Sequence, residues 1–295
     1  AKMKELRSWI DLKAICPVLR AEGRNVMTGR WVLRWQIIDG KKQVKAILVI
    51  RGFMDQQHGG LDTASFTARG ASQRLILSIA AQHSWSIFPW DIGNAFLRGL
   101  SLAEISSQGG TDGMREASLD PLQGVYSLLQ DTEGFRGTSK HSHILKLLKG
   151  AYGLKDAPKL WKKRLDRFLA TSAKGKQSMI DGCIWLWFDV GNKLVGCIST
   201  HIDDLKGCGS KDWQEKLYEQ LVAEFGKVSK EYGKFEHCGI QHVQHGDLSI
   251  TITQDHYIKE LRQIVVPREM RKHPEQTVSD ELHSRAIFSF GVSRI

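Results

Sequence analysis

Two apolar runs, CIWLWF at 183–188 and LVGCIST at 194–200, flank a Gly191-Asn192 turn, and the second runs into Asp203-Asp204. Short runs rich in β-branched and aromatic residues, separated by turn residues, predict paired strands. A sheet is therefore fixed in the chain, and two adjacent carboxylates stand at its end. Like charges repel, so the pair is either a solvated turn or a holder of something strongly cationic.

Other segments supply the frame. Residues 31–38 and 44–50 surround Asp39-Gly40 and predict a β-hairpin. The apolar spacing in 72–83 is helical, and WSIFPWD at 85–91 predicts a short strand that ends on an acid. Residues 100–140, rich in Gly, Ser, Thr and Asp, predict a long loop or a locally degraded region. From Ala157, APKLWKKRLDRFLA predicts an amphipathic helix with Pro158 in its first turn; Leu160, Trp161, Leu165, Phe168 and Leu169 share one face. Residues 213–225 and 256–264 predict further helices, and 248–253 a strand. This mixed order predicts an α+β fold with an antiparallel sheet.

At 295 residues and 41% hydrophobic, the chain can bury one large core or two packed subdomains. Its net charge of +10 favours a polyanionic partner. That charge is uneven: residues 146–176 hold ten Lys/Arg against two Asp, and residues 1–53 twelve against four acids. The two stretches either line two walls of one cleft or form separate solvated faces. Cys16, Cys183, Cys197, Cys208 and Cys238 contain no C-x-x-C pair, which predicts reduced thiols in an intracellular protein. No apolar run reaches membrane-spanning length, so no membrane partner is expected. His237, His242 and His245 lack the accompanying ligands of a metal cluster.

If the Asp203-Asp204 pair is not merely solvated, the strand-terminal Asp91 is the natural third carboxylate. Oxygen-only ligands suit magnesium, and two such ions about 3.5–4 Å apart serve phosphoryl transfer. WDIGNAFLRG (90–99), YGLKDAPKLW (152–161) and THIDDL (200–205) occur in that order. Together they resemble the three polymerase motifs of copia-type retrotransposon reverse transcriptases. VKAILVIRGFMD (44–55) is similar to that family's fingers segment, SQRLILSIAAQHSW (72–85) to the helix before the first motif, FEHCGI (235–240) to the element near the primer grip, and ITQDHYIKEL (252–261) to a later motif.

The resemblance spans roughly residues 28–265 and implies a right-hand polymerase with palm and fingers, its antiparallel palm sheet backed by helices. It implies a fingers-like region over 1–80, a palm over 81–265 with a fingers insertion around 100–150, and a truncated connection or thumb-like tail over 266–295. The implied activity is RNA-directed DNA polymerisation, with Asp91, Asp203 and Asp204 holding two magnesium ions, or manganese in their place. Phe96 would exclude a 2′-hydroxyl, while Tyr152, Gly153 and Lys155 would back the incoming deoxynucleoside triphosphate. Lys45 and Arg51 would contact its phosphates. Lys159, Lys162, Lys163, Arg164 and Arg167 would track an RNA or DNA template–primer, as would Phe235 and Gly239. Ribonuclease H and integrase domains are expected in an intact Pol polyprotein, in the cytoplasm, a virus-like particle or the nucleus.

The sequence departs from the family pattern at several places. Ile47 replaces an Arg, Phe66 a Pro, Asp156 the commoner Gln, and His201 a Tyr. The chain is thus expected to be the polymerase portion of a larger polyprotein or a genomic remnant of one, and a catalytically silent nucleic-acid-binding relic is the alternative function.

Overall fold

A computed structural model describes residues 1–107 and 115–260, apart from Asp39, His58, Gly60 and Asp62, together with residues 266 and 268–271. The turn residue Asp39, the end of the helix expected over 256–264 and most of the expected tail lie outside the described residues.

The chain opens with α1 (Lys2–Asp11), whose Leu6 and Trp9 are fully buried. Then come β1 (Ile15–Leu19), β2 (Val26–Ile38) and β3 (Lys41–Ile50). Strands β2 and β3 form the expected hairpin, but it is longer than the apolar runs alone predict, with ten register pairs from Gly29–Ile50 to Ile38–Lys41. Helix α2 (Gly70–His83) ends on a left-handed Ser84 and leads into β4 (Ile87–Asp91).

The stretch expected to be loop or degraded is structured across its described part, contrary to the sequence reading. It contains α3 (Leu102–Ser107), β5 (Ser118–Asp120) and α4 (Val125–Leu129), and Leu119, Val125, Leu129 and Phe135 are buried. Its elements are too short for a periodic signal to emerge from a polar composition. With β6 (His143–Leu147) they complete a five-stranded sheet of order β1-β6-β5-β2-β3, in which only the β2–β5 pair is parallel. Residues from α1, α4 and this sheet share one hydrophobic core with Leu154 and Leu160.

The second sheet, of order β4-β10-β9-β8-β7, adds β7 (Lys176–Gln177), β8 (Ile184–Phe188), β9 (Leu194–His201) and β10 (Asp204–Gly209), all antiparallel. Both faces are covered. Phe88, Trp90, Ile198 and Leu205 pack against α5 (Ala157–Thr171) and α6 (Lys211–Phe225). Ile87, Cys197 and Cys208, on the other face, pack against α2 and Phe235. Phe235 belongs to a three-stranded sheet of β11 (Lys234–His237), β12 (Ile240–Gln244) and β13 (Ile250–Thr253), followed by α7 (Asp255–Glu260). No helix among the described residues is long and apolar enough to cross a membrane.

Candidate active site

Strands β9 and β10 are joined by the two-residue turn Ile202-Asp203, since His201 pairs with Asp204. Asp204 is thus the first strand residue and not part of the turn. Ile202 lies at φ 56°, a left-handed conformation costly for a β-branched side chain, on the order of 1–3 kcal/mol. Two contacts hold it there. The indole Nε1–H of Trp161, from α5, donates to the Ile202 carbonyl at 2.7 Å, and the Ile92 N–H donates to the Asp203 carbonyl at 3.1 Å. The tryptophan of the APKLW segment therefore clamps the acid-bearing turn.

On its other edge β10 pairs with β4, and the register sets Asp91 directly opposite Asp204. Carboxylate oxygens of Asp91, Asp203 and Asp204 lie within 4.8 Å of one another. Beside them, the Ser229 N–H donates to the Asp91 carbonyl at 2.9 Å and the Gly93 N–H to the Lys227 carbonyl at 3.0 Å, fixing the exit of β4. The sequence reading missed Ser229 and Lys227, which follow α6 and belong to no motif.

Burial raises the pKa of all three acids. For Asp91 and Asp204 the Asp203 charge adds to the rise, and Asp204 is pushed up to about 7. Lys45, from the fingers hairpin, acts in the opposite direction on both Asp91 and Asp203, and Lys227 does so on Asp91. Three close oxygen donors that resist ionising together form a site that a hard divalent cation relieves, so the residues fit magnesium.

The residues expected on the nucleotide side fall in two groups. Phe96 is half-buried, and its ring meets that of Tyr152 edge-on with centroids 5.1 Å apart. Tyr152 is close enough to the acids that burial first, then the charges of Glu5, Asp203 and Asp91, raise its pKa. Gly153, at φ 94°, approaches backbone, but that backbone belongs to β3: a Cβ there would overlap the Ile50 carbonyl, and one on Gly52 would overlap the Gly153 carbonyl. The Ile50 N–H donates to the Tyr152 carbonyl at 2.7 Å across this seam. Arg51 and Lys155 are exposed, with Arg51 Nη1 3.3 Å from the Thr28 hydroxyl.

A second fixture braces the seam. Arg115 is buried and pairs with Asp55 at 2.7 Å and Asp156 at 2.9 Å. Burial opposes its charge, but the two carboxylates outweigh that and hold its pKa above the usual guanidinium value. Asp156, noted as a departure from the family pattern, is thus one arm of a buried ionic bridge that no local pattern announces.

The basic helix α5 lies on the sheet face away from the acids. Along β4, side chains alternate, so Asp91 shares its side with Ile87 and the α2 layer, whereas α5 packs on Phe88 and Trp90. Several of its cations serve the fold: Lys162 pairs with Asp166 at 2.8 Å, Arg164 with Glu224, and Arg167 with Glu104 at 3.5 Å. Lys163 is exposed and Lys159 half-exposed. Phe235 is buried beneath the three-stranded sheet, while Cys238 and Gly239, both with positive φ, form the β11–β12 turn. The His237 ring, just before this turn, lies 6.0 Å from that of His201, the register partner of Asp204, which sets the turn beside the carboxylates; burial raises the Cys238 thiol to about 11 and the Asp204 charge adds to that.

An antiparallel sheet with acids at the adjoining ends of β4 and β10, helices behind it and a hairpin projecting a lysine toward the acids defines a right-hand polymerase palm with fingers. The sequence profile of the family described as reverse transcriptase (RNA-dependent DNA polymerase) matches residues 122–271, and the chain belongs to that family. Asp203 and Asp204 fall inside the match and Asp91 precedes it, so Asp91 joins the site through the strand register. The Pol polyprotein of transposon RE1 from Arabidopsis thaliana is 28% identical over 147 residues, covering 48% of this chain and 8% of that protein. That of transposon TNT 1-94 from Nicotiana tabacum is 27% identical over 190 residues, covering 62% and 12%. The chain thus spans about a tenth of the length of these relatives. Among solved structures, telomerase from Candida albicans in complex with a telomeric RNA fragment aligns at 9% identity and a TM-score of 0.41, covering 85% of this chain and 51% of that one.

Proposed function

We propose that the chain is the polymerase region of a copia-type retrotransposon Pol polyprotein and extends a primer 3′ end with deoxynucleotides on an RNA template. The single observation that carries this reading is the convergence of Asp91, Asp203 and Asp204, from positions 112 residues apart in the chain, into one oxygen-donor cluster. Two magnesium ions on these acids, or manganese ions in their place, would activate the primer hydroxyl and stabilise the leaving oxygen.

The chain's own residues do the rest. Lys45 faces the acids from the fingers hairpin, where a triphosphate bridging metal and lysine would be clamped, and Arg51 extends the cationic surface. Phe96, backed by Tyr152 and the Gly153 seam, offers a flat wall against a 2′-hydroxyl. Lys155 would meet phosphates of the template–primer and the Gly239 turn its primer end, whereas Lys159 and Lys163 belong to α5, on the sheet face away from the acids. Such contacts to phosphate carry affinity without reading sequence. The fingers and palm divisions at about residues 80 and 265 belong to the same proposal, as does assembly with ribonuclease H and integrase domains in a virus-like particle, the cytoplasm or the nucleus.

Primer extension on a primed RNA template with magnesium or manganese tests the reading. Metal-dependent incorporation is expected, and Asp203→Asn reduces it to background. Salt-sensitive binding of template–primer without incorporation by the unsubstituted chain would instead mark a silent relic.

A further inference from the structure

Polar side chains cross the otherwise apolar layer between the three-stranded sheet and the palm sheet. On β12, His242 and Gln244 are two residues apart and so point the same way. Gln244 accepts from the Ile87 N–H at 2.9 Å and donates to the Trp85 carbonyl at 2.9 Å, gripping the start of β4. His242 lies with its Nε2 3.5 Å from Nζ of Lys206, a lysine only 2% exposed in the middle of β10. Nδ1 of His242 is 2.9 Å from the Ile240 carbonyl. A proton on Nδ1 donated to that carbonyl leaves Nε2 free to accept from the ammonium. The Phe235 ring stacks on the imidazole, with centroids 4.8 Å apart and planes 8° from parallel. A parallel contact runs from β11, where His237 Nε2 lies 3.5 Å from Nε2 of Gln73, whose Oε1 accepts from Ser199 on β9 at 3.1 Å.

This arrangement is poorly explained as stabilisation. A buried ammonium whose side-chain partner among the described residues is a neutral imidazole is costly to desolvate, and an unbranched apolar side chain would fill the same space without that cost. What the pair does supply is direction. Lys206 follows Asp204 by two residues on the same face of β10, and the β11–β12 turn adjoins Asp204. An ammonium–imidazole contact between these strands therefore sets how far the turn stands from the acids.

We infer that Lys206 and His242 are positioning residues: their contact fixes the Cys238-Gly239 turn against the Asp204 end of β10 and so places a primer 3′ end over the carboxylates. This rests on reading the acid cluster as a polymerase centre. The test compares Lys206→Met, His242→Leu and His242→Gln, the last supplying a neutral amide as acceptor, in the full chain. Amide hydrogen exchange over residues 234–244 is followed beside primer extension and template–primer binding. In Lys206→Met and His242→Leu, exchange over 234–244 is expected to speed about tenfold while β8 and β9 stay protected. In the same variants kcat falls about tenfold with template–primer Kd within about twofold. His242→Gln recovers most of both losses.

Unchanged exchange in Lys206→Met overturns the inference, as does a His242→Gln as impaired as His242→Leu. Loss of protection throughout the palm in all three variants also overturns it, by making the contact a general stabiliser. If the unsubstituted chain extends no primer, the polymerase reading fails, and the exchange comparison alone then decides whether the contact sets the turn.

Discussion

The molecule contains two prominent β-hairpins of opposite character. The β9–β10 hairpin is short-turned, covered on both faces, and pinned at its turn by Trp161 and Ile92. The β2–β3 hairpin is buried only at its base: Leu48 and Ile50 are in the core, whereas Leu33, Trp35 and Ile37 are 55%, 65% and 77% exposed. One hairpin carries two of the three acids, and the other carries Lys45, which acts on Asp203 and on Asp91 of the neighbouring β4. Under the proposed polymerase function this division would serve the binding and release of a triphosphate, with anionic groups held fixed and a cationic arm attached by one end. Stability concentrates where packing is two-sided, and local opening concentrates where it is not.

The largest expected effect separating the two comes from their tryptophans. Trp161→Ala empties a fully buried site and releases the turn carbonyl, and denaturant unfolding should register a loss of about 4 kcal/mol. Trp35→Ala, at an exposed site, is expected to cost no more than about 0.5 kcal/mol in the same measurement. Equal losses would erase the distinction.

Glycines sharpen it next. Gly153→Ala drives a methyl into the Ile50 carbonyl at the base of the fingers, and a loss of about 3 kcal/mol is expected. Gly40→Ala, at the outer end of the same hairpin, also has positive φ but meets nothing within 4 Å, so about 1 kcal/mol is expected from the backbone alone. Thermal melts of the two variants check the ranking.

Acid provides a smaller, graded probe of the palm side. Burial lowers His237 to about 3 and His242 to about 4, and the Lys206 charge adds to both. Between those values and the ordinary histidine range the unfolded chain binds more protons than the folded one. Their contribution is therefore complete above about pH 6.5 and is lost as pH falls toward 4, on the order of 2 kcal/mol per histidine. Asp204, pushed up to about 7, acts with the opposite sign over the same window, so chemical denaturation at pH 7 and pH 5 should show the drop as a difference between the unsubstituted chain and His242→Gln, which loses less. The same pH dependence in the unsubstituted chain and in His242→Gln would show that His242 is not held neutral by the fold.

Much of the acid-bearing end was legible in sequence because its elements are continuous and their signals local. The runs at 183–188 and 194–200, the helix from Ala157 and the acid after Trp90 each lie within one element. Other features depend on partners far along the chain. Arg115 sits in a polar stretch with no period, and its burial makes sense only with Asp55 and Asp156 in place. The cations of α5 read as a binding face because Lys162–Asp166 alone is a helix-neighbour pair, whereas Arg164 and Arg167 meet Glu224 and Glu104 through tertiary packing. Lys206 lies in a short strand whose alternation gives a side but not what covers it, and β11–β12, which covers it, had not been read as strands.

The Asp55–Arg115–Asp156 bridge bears on how such a chain can drift. Losing the guanidinium strands two anions in the interior, and losing either acid takes hydrogen-bond acceptors away from a buried guanidinium fork, so substitutions tolerated singly elsewhere are penalised here unless they occur in concert. Three positions from separate segments are thereby locked to one another. In any decaying copy of this gene, the order in which those three codons change would record whether the protein was still folding.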